Sequence, residues 1–310
     1  SFRTNKLQEL VQWGADRFEL SCRIEFSGAS HRLDASVGTG QGRYLLDGKP
    51  KRAAVVFGNF QAVIFASEDM DVVRQEPAIR RRFFDLFFSQ IDKSYGKHLD
   101  DYLRVVKNRN ALLKAERFGE MEVWNDLLAR EGGWLAWRRK ELLAEFERTA
   151  AAHHGLVSGG SEVLQLAYKT SCVGDSAEAA EMSLRRKIAE HEEHEKILKT
   201  TMSGPHRDDY EISIGGKTAR NFGSEGQKRS VMLSLRMAQW KFLAGLTGEK
   251  PMILLDDVLG ELDVERQAAF LDMVVQSGAQ SFIALTEAKD FLRRAAGAVF
   301  QVSSGVLAGG

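Results

Sequence analysis

Polar and apolar residues alternate strictly in Phe18-Glu-Leu-Ser-Cys-Arg-Ile-Glu-Phe26, so Phe18, Leu20, Cys22, Ile24 and Phe26 share one face of a half-buried strand. His31–Val37 alternates more weakly, and Asp47-Gly48 is a hairpin turn signal. Ala53–Phe57 and Phe60–Ala66 read as two further strands, which together predict an antiparallel sheet.

From Ala78 to about His153 the period becomes that of a helix. Met121, Trp124, Leu128, Leu135, Leu142 and Phe146 form one apolar stripe, which Gly132-Gly133 is expected to break or kink. A loop is expected at Gly155–Ser161, and Val163–Lys169 fits a strand or a helix. Ser176–Thr200 reads as a second long amphipathic helix, capped by Ser176 and burying Ala180, Leu184 and Ile188. Two such helices around a loop predict an antiparallel arm inserted into another domain; a compact helical domain is the alternative.

After Gly204 the period shifts again. Tyr210, Ile212 and Ile214 alternate with polar residues and lead into a Gly215-Gly216 turn. A long helix is predicted from Ser224 to about Gly245, a buried strand over Met252–Leu255, a helix over Val264–Ser277 and a strand over Ser281–Leu285. Strand, helix, strand at this spacing signals a parallel α/β sheet.

Composition narrows the classes. The 310 residues carry 43 basic and 43 acidic side chains, so no domain-wide positive field points to nucleic acid, and such binding would need local patches. Cys22 and Cys172 cannot make a disulfide framework, which favours a reducing cytoplasm. No apolar run approaches membrane-spanning length.

Three pieces of the last hundred residues carry chemistry. Pro251-Met-Ile-Leu-Leu-Asp-Asp257 is a buried strand ending in two carboxylates. At the mouth of an α/β sheet one such Asp can hold Mg²⁺ and its neighbour can polarise a water. Val258-Leu-Gly-Glu-Leu-Asp263 follows at once. Upstream, Asn221-Phe-Gly-Ser-Glu-Gly-Gln-Lys-Arg-Ser230 opens the long helix. Ser224 there is either a phosphate receptor at a helix N-terminus or an ordinary cap with Gln227 at the third position.

The order of these pieces resembles the C-terminal half of ATP-binding-cassette (ABC-type) ATPase heads. Ser203-Gly-Pro-His-Arg-Asp-Asp209, Phe65-Ala-Ser-Glu-Asp-Met-Asp-Val-Val, Arg80-Arg-Arg-Phe-Phe-Asp85 and Arg109-Asn-Ala-Leu-Leu-Lys114 narrow the resemblance to the RecF family. It touches nearly the whole chain and is weakest across roughly 115–200. The resemblance implies an α/β, P-loop-class ATPase head: 1–76 an antiparallel β part, 77–202 an inserted helical lobe, and 203–310 the C-terminal α/β part.

It further implies an ATP-dependent DNA-binding protein of replication and recombinational repair in the cytoplasm. Single-stranded or gapped DNA, recombinase loading, SOS induction and the mediators RecR and RecO come with it. Two copies would enclose ATP, with Ser224, Gly226, Gln227 and Lys228 on the partner's nucleotide, Asp263 crossing the interface, Asp256 on Mg²⁺ and Asp257 positioning water. Arg80, Arg81 and Arg82 become candidates for a DNA or interlobe contact. The clusters Arg138–Lys140 and Arg185–Lys187 read as solvated helix faces.

A Gly-x-x-x-x-Gly-Lys-Ser/Thr loop is also required. Gly216-Lys217-Thr218 would need glycine where Glu211 stands, and it joins two strands, so it reads as a hairpin turn. Gly38–Gly42 is likewise a turn. The phosphate loop is therefore expected upstream of Ser1-Phe-Arg-Thr4, and the chain as written is expected not to hydrolyse ATP alone.

Glu225 near the phosphates (offset by Lys228 and Arg229), Gly260 where serine is commoner, and Thr286 in the region of the switch histidine imply at most slow turnover. His153-His154 and His191/His194 read as solvated rather than as metal ligands. The alternatives are the head of another SMC-like repair ATPase and a non-catalytic DNA-binding or scaffold relative.

Overall fold

The computed structural model describes residues 7–26, 28–38, 42–58, 61–260, 262–285, 297–303 and 306–308. The elements in order are β1 (Arg17–Phe26), β2 (Ala29–Gly38), β3 (Arg43–Leu46), β4 (Lys49–Lys51), α1 (Ala53–Gly58) and β5 (Ala62–Ala66). Next come α2 (Asp71–Arg74), α3 (Pro77–Ile91), α4 (Lys93–Lys114), α5 (Met121–Val157), β6 (Leu164–Lys169) and α6 (Ala177–Leu198). The chain continues through β7 (Asp209–Ile214), β8 (Lys217–Thr218), α7 (Ala219–Phe222), α8 (Glu225–Thr247), β9 (Met252–Asp256), α9 (Val264–Ser277) and β10 (Ser281–Ala284). A short hairpin, β11 (Gln301–Ser303) and β12 (Val306–Ala308), follows.

β1 to β4 form an antiparallel meander whose β3–β4 turn places Asp47 and Gly48 at positive φ, as a tight hairpin turn requires. Its apolar face is covered only in part. Leu33 and Val37 of β2 are buried, whereas Leu20 on the outer strand is 63% exposed and Cys22 is exposed.

Two strand assignments change. Residues 53–58 are helical, because a short unalternating apolar run carries no period of its own and docking of Val56 into the interior decides its conformation. β5 leaves the meander and pairs in parallel with β9, so the parallel sheet has the order β10-β9-β5 and Asp256 ends its middle strand.

α5 is continuous through Gly132-Gly133, against the expected break. The glycines serve approach instead of bending. A Cβ on Gly133 would lie 2.4 Å from the Glu181 amide nitrogen of α6, and one on Gly132 would lie 2.6 Å from Leu184. Gly133→Ala is therefore expected to destabilise by about 1–3 kcal/mol through overpacking, despite alanine's better helix propensity. A melt at or above the wild-type temperature would contradict this.

Two apolar cores meet at α8. One joins α2–α6, β6 and β7; the other lies between α8, α9 and the parallel sheet. Val231, Met232, Leu235 and Ala238 face the first, and Leu233, Met237 and Trp240 face the second. A helix buried around most of its circumference, as α8 is from Arg229 to Trp240, forms such a shared wall. It fixes α8 firmly while its N-terminal tip stays at the surface.

The scattered runs quoted above converge on the segment 201–209. Arg80 is 6% exposed and binds Asp209 through two bonds of 2.8 Å, and Arg81 donates to the Asp208 carbonyl. Arg109 donates to Thr201 Oγ1 and pairs with buried Glu195. Arg139, 1% exposed, forks onto Asp85 at 2.8 and 2.9 Å and donates to Tyr95 Oη and the Pro205 carbonyl. Arg139 is thus a buried hub and not part of a solvated face.

His206 completes this region. Its Nε2–H donates to the Thr201 carbonyl at 3.1 Å, leaving Nδ1 to accept from Tyr102 Oη at 2.6 Å. Burial, with Arg207, Arg81 and Arg109 nearby, pushes its pKa down from 6.5 to about 4. The unfolded chain then takes up a proton that the folded chain refuses as pH falls from about 6.5 to 4. Stability is expected to drop by roughly 2–3 kcal/mol across that window through this residue. Denaturant titrations at several pH values should show this component lost in His206→Gln; an unchanged pH slope would refute it.

Candidate nucleotide-binding site

The site is built at the α8 tip and the carboxyl end of β9. Ser224 is the N-cap: its Oγ accepts from the Gln227 amide at 3.2 Å, while Gln227 Oε1 accepts from the Ser224 amide at 2.9 Å. Ser224 and Glu225 are exposed, and Gly226, Gln227 and Lys228 are half-buried. The tip presents a helix N-terminus with its positive dipole end outward.

β9 ends in exposed Asp256, followed by exposed Asp257 at φ +51°. Left-handed backbone at a non-glycine residue is uncommon and strained, and such residues concentrate at functional sites. The Asp257 amide continues the sheet by donating to the Ala284 carbonyl at 3.1 Å. Beyond it the loop is pinned from both sides. Val258, Leu259 and Leu262 are buried; Arg229 of α8 donates to the Val258 carbonyl at 3.0 Å. Gln267 of α9 donates to the Leu259 and Leu262 carbonyls, each at 2.8 Å.

Asp263 is exposed and caps α9, its Oδ1 accepting from the Arg266 amide at 2.9 Å. Arg266 then binds Asp263 Oδ2 at 3.1 Å and Ser230 Oγ of α8 at 2.8 Å. The signature-like tip, the loop after the two acids and Asp263 are therefore fastened to one another through Arg229 and Arg266. Exposed hard oxygens at the strand end suit a divalent cation such as Mg²⁺, and the exposed tip suits phosphate oxygens.

Sequence reasoning placed these elements but misassigned several partners. Glu225 is offset by Arg74 and Lys228, which hold its carboxyl below the usual range. Arg229 instead turns inward to Val258. Arg80 is consumed by Asp209 and Arg81 by a backbone carbonyl, so of the three candidates for DNA only Arg82 is exposed. His154 is fully buried against Glu162, not solvated. Thr286 and Ser1–Thr4 lie outside the described residues.

Gln267 had a local signal, one turn after the Asp263 cap. Glu162 had none. Among the described residues no cluster of metal-binding side chains occurs, and no helix is long and apolar enough to cross a membrane.

No protein-family model matches the chain. Among curated proteins, a DNA replication and repair protein RecF from a Synechococcus species is 33% identical over 303 residues, covering 94% of this chain and 80% of that protein. The RecF of Lactobacillus delbrueckii subsp. bulgaricus is 34% identical over 302 residues, covering 93% of this chain and 78% of its own length.

The chain belongs to the RecF family.

Solved structures agree. A recombination mediator RecF–ATP structure of the RecFOR pathway superposes with TM-score 0.84 at 28% identity, over 100% of this chain and 84% of that one. An Smc head bound to the C-terminal winged-helix domain of ScpA matches with TM-score 0.55 at 14% identity, over 98% of this chain and 78% of that one, a likeness of fold alone. The architecture of this RecF-family chain is that of an ABC-type ATPase head, and its family is one of DNA replication and repair.

Proposed function

We propose that the full gene product is an ATP-dependent DNA-binding protein of recombinational repair that closes into a homodimer around ATP. Ser224, Gly226 and Lys228 face the partner protomer's nucleotide, and Asp263 crosses the same interface. Asp256 holds Mg²⁺ through carboxylate oxygens, and Asp257 accepts a hydrogen bond from a water and so orients it. When bound, the magnesium nucleotide supplies the phosphoanhydride whose slow hydrolysis reopens the dimer.

The observation that carries this reading is the fastening of an exposed helix tip to an exposed acidic loop by Arg229 and Arg266. Each closed site joins the Ser224 tip of one protomer to the acidic loop of the other, so both sites close together only if tip and loop hold fixed relative positions within each protomer, because slack at either is lost as entropy on closing. The RecF–ATP relative supports the ligand, and its RecFOR pathway supports RecO and RecR as partners. Single-stranded DNA or a single-strand/duplex junction is the nucleic-acid substrate, with recombinase loading and SOS induction the cytoplasmic outcomes. The 77–202 segment is the inserted helical lobe, between the two parts of the ATPase lobe at 1–76 and 203–310.

Sedimentation of the full gene product tests this. A dimer is expected with ATP and Mg²⁺, a monomer without either, and DNA retention that falls steeply with salt. A protein that binds ATP yet stays monomeric at every concentration would count against the reading.

A further inference from the structure

Glu162 lies between α5 and β6, outside every motif quoted above. Its carboxylate is 8% exposed and is bound from three elements. Oε1 accepts from Arg266 at 2.6 Å and from the Gln227 side-chain amide at 3.1 Å. Oε2 meets Nε2 of fully buried His154 at 3.0 Å. Burial keeps His154 neutral, so beside a carboxylate its Nε2 carries the proton and donates. Burial opposes charge on Glu162, but the bonds from Arg266 and Gln227 and the Arg266 charge outweigh it and hold its pKa below the usual range.

This geometry decides which way Gln227 points. With its amide reversed, Gln227 would set an NH₂ against the Ser224 N–H and a carbonyl against the Glu162 carboxylate. Both contacts are repulsive. The Glu162 charge therefore selects the one orientation that completes the capping box, with Oε1 on the Ser224 amide. Through Arg266 the same carboxylate reaches Ser230 on α8 and Asp263 at the start of α9.

We propose that Glu162, acting through Gln227 and Arg266, is the positioning residue that locks the Ser224 tip and Asp263 into one surface for the partner protomer's nucleotide. This rests on the dimer reading above. Gln227, whose amide oxygen and nitrogen each already hold a partner inside the protomer, is on this account a positioning residue too.

The test uses the full gene product and ATP-dependent dimerisation measured by sedimentation. Glu162→Gln preserves shape and removes the charge. It is expected to weaken the dimer roughly tenfold or more, while ATP binding by the dilute monomer stays at the wild-type level. Gln227→Glu, a change at the half-buried tip, sets a second carboxylate against Glu162 and should weaken the dimer similarly even if Glu162→Gln fails to fold. In a Gln227→Ala background, Glu162→Gln should cost the dimer clearly less than it does alone, because only its route through Arg266 remains, a coupling that general destabilisation would not produce.

Ser224→Arg separates the two claims. If it disrupts the dimer while Glu162→Gln and Gln227→Glu do not, the positioning role is overturned and the dimer reading stands. If none of the three has any effect, both fall.

Discussion

Ser224→Arg in the full gene product is expected to abolish ATP-dependent dimerisation, weakening it by at least about a hundredfold. Ser224 is exposed at the N-cap of α8, so the bulk of the new side chain enters solvent rather than the core. Folding should lose only the cap, about 1 kcal/mol, which Ser224→Ala measures separately. The dimer suffers differently. A long cation would occupy the space before the α8 tip, where partner phosphates are proposed to sit within reach of backbone N–H groups. Sedimentation with saturating ATP distinguishes the cases: Ser224→Ala should still associate and Ser224→Arg should not. Equal association by both would remove the α8 tip from the interface.

The largest expected loss of stability comes from a different place. Arg139→Met should cost about 3–5 kcal/mol, because it leaves the Asp85 carboxylate without its paired charge in a site that is largely dry. Tyr95 Oη and the Pro205 carbonyl also lose a donor each. In a chain of this size that corresponds to a melting temperature lower by roughly 5–8 °C. The double change Arg139→Met with Asp85→Leu should recover much of it, since removing both charges abolishes the desolvation cost. A single variant that melts within a degree or two of wild type would show that Asp85 finds water or another cation. The tyrosines around this hub, buried Tyr95 and Tyr210 and half-buried Tyr168, hold their protons well above the ordinary range and stay neutral, so none supplies the positive charge that Asp85 loses.

The two experiments read different layers of the molecule. The first perturbs a surface that the monomer does not need. The second perturbs the core that holds segment 201–209 against α3, α4 and α5, with little direct bearing on the tip. A dimerisation defect in Arg139→Met larger than its melting shift predicts would reveal coupling between the two cores through α8.

Much of this was legible in the residues because it is local. The Ser224–Gln227 cap, the Asp263 cap, the apolar run of β9 ending in two acids and the Gly215-Gly216 turn each need side chains within a few positions of one another. Local hydrogen bonds and periodicity are written directly into such spacings. The RecF-like runs were legible as runs, but their purpose was not. Arg80 read as a candidate for a DNA or an interlobe contact, and choosing between them needed its pairing with Asp209, 129 residues away.

What the sequence determined by itself is the set of elements and the identity of the chemical groups at their ends, since these follow from backbone capping and from which face must leave water. What only the tertiary structure decided is which distant groups share a carboxylate, a carbonyl or a gap. Glu162 is 65 residues from Gln227 and 104 from Arg266; residues 53–58 became helical through docking; and Gly133 meets α6 backbone instead of bending α5. Burial and long-range pairing depend on how cores close around α8, and no periodicity along one segment carries that information.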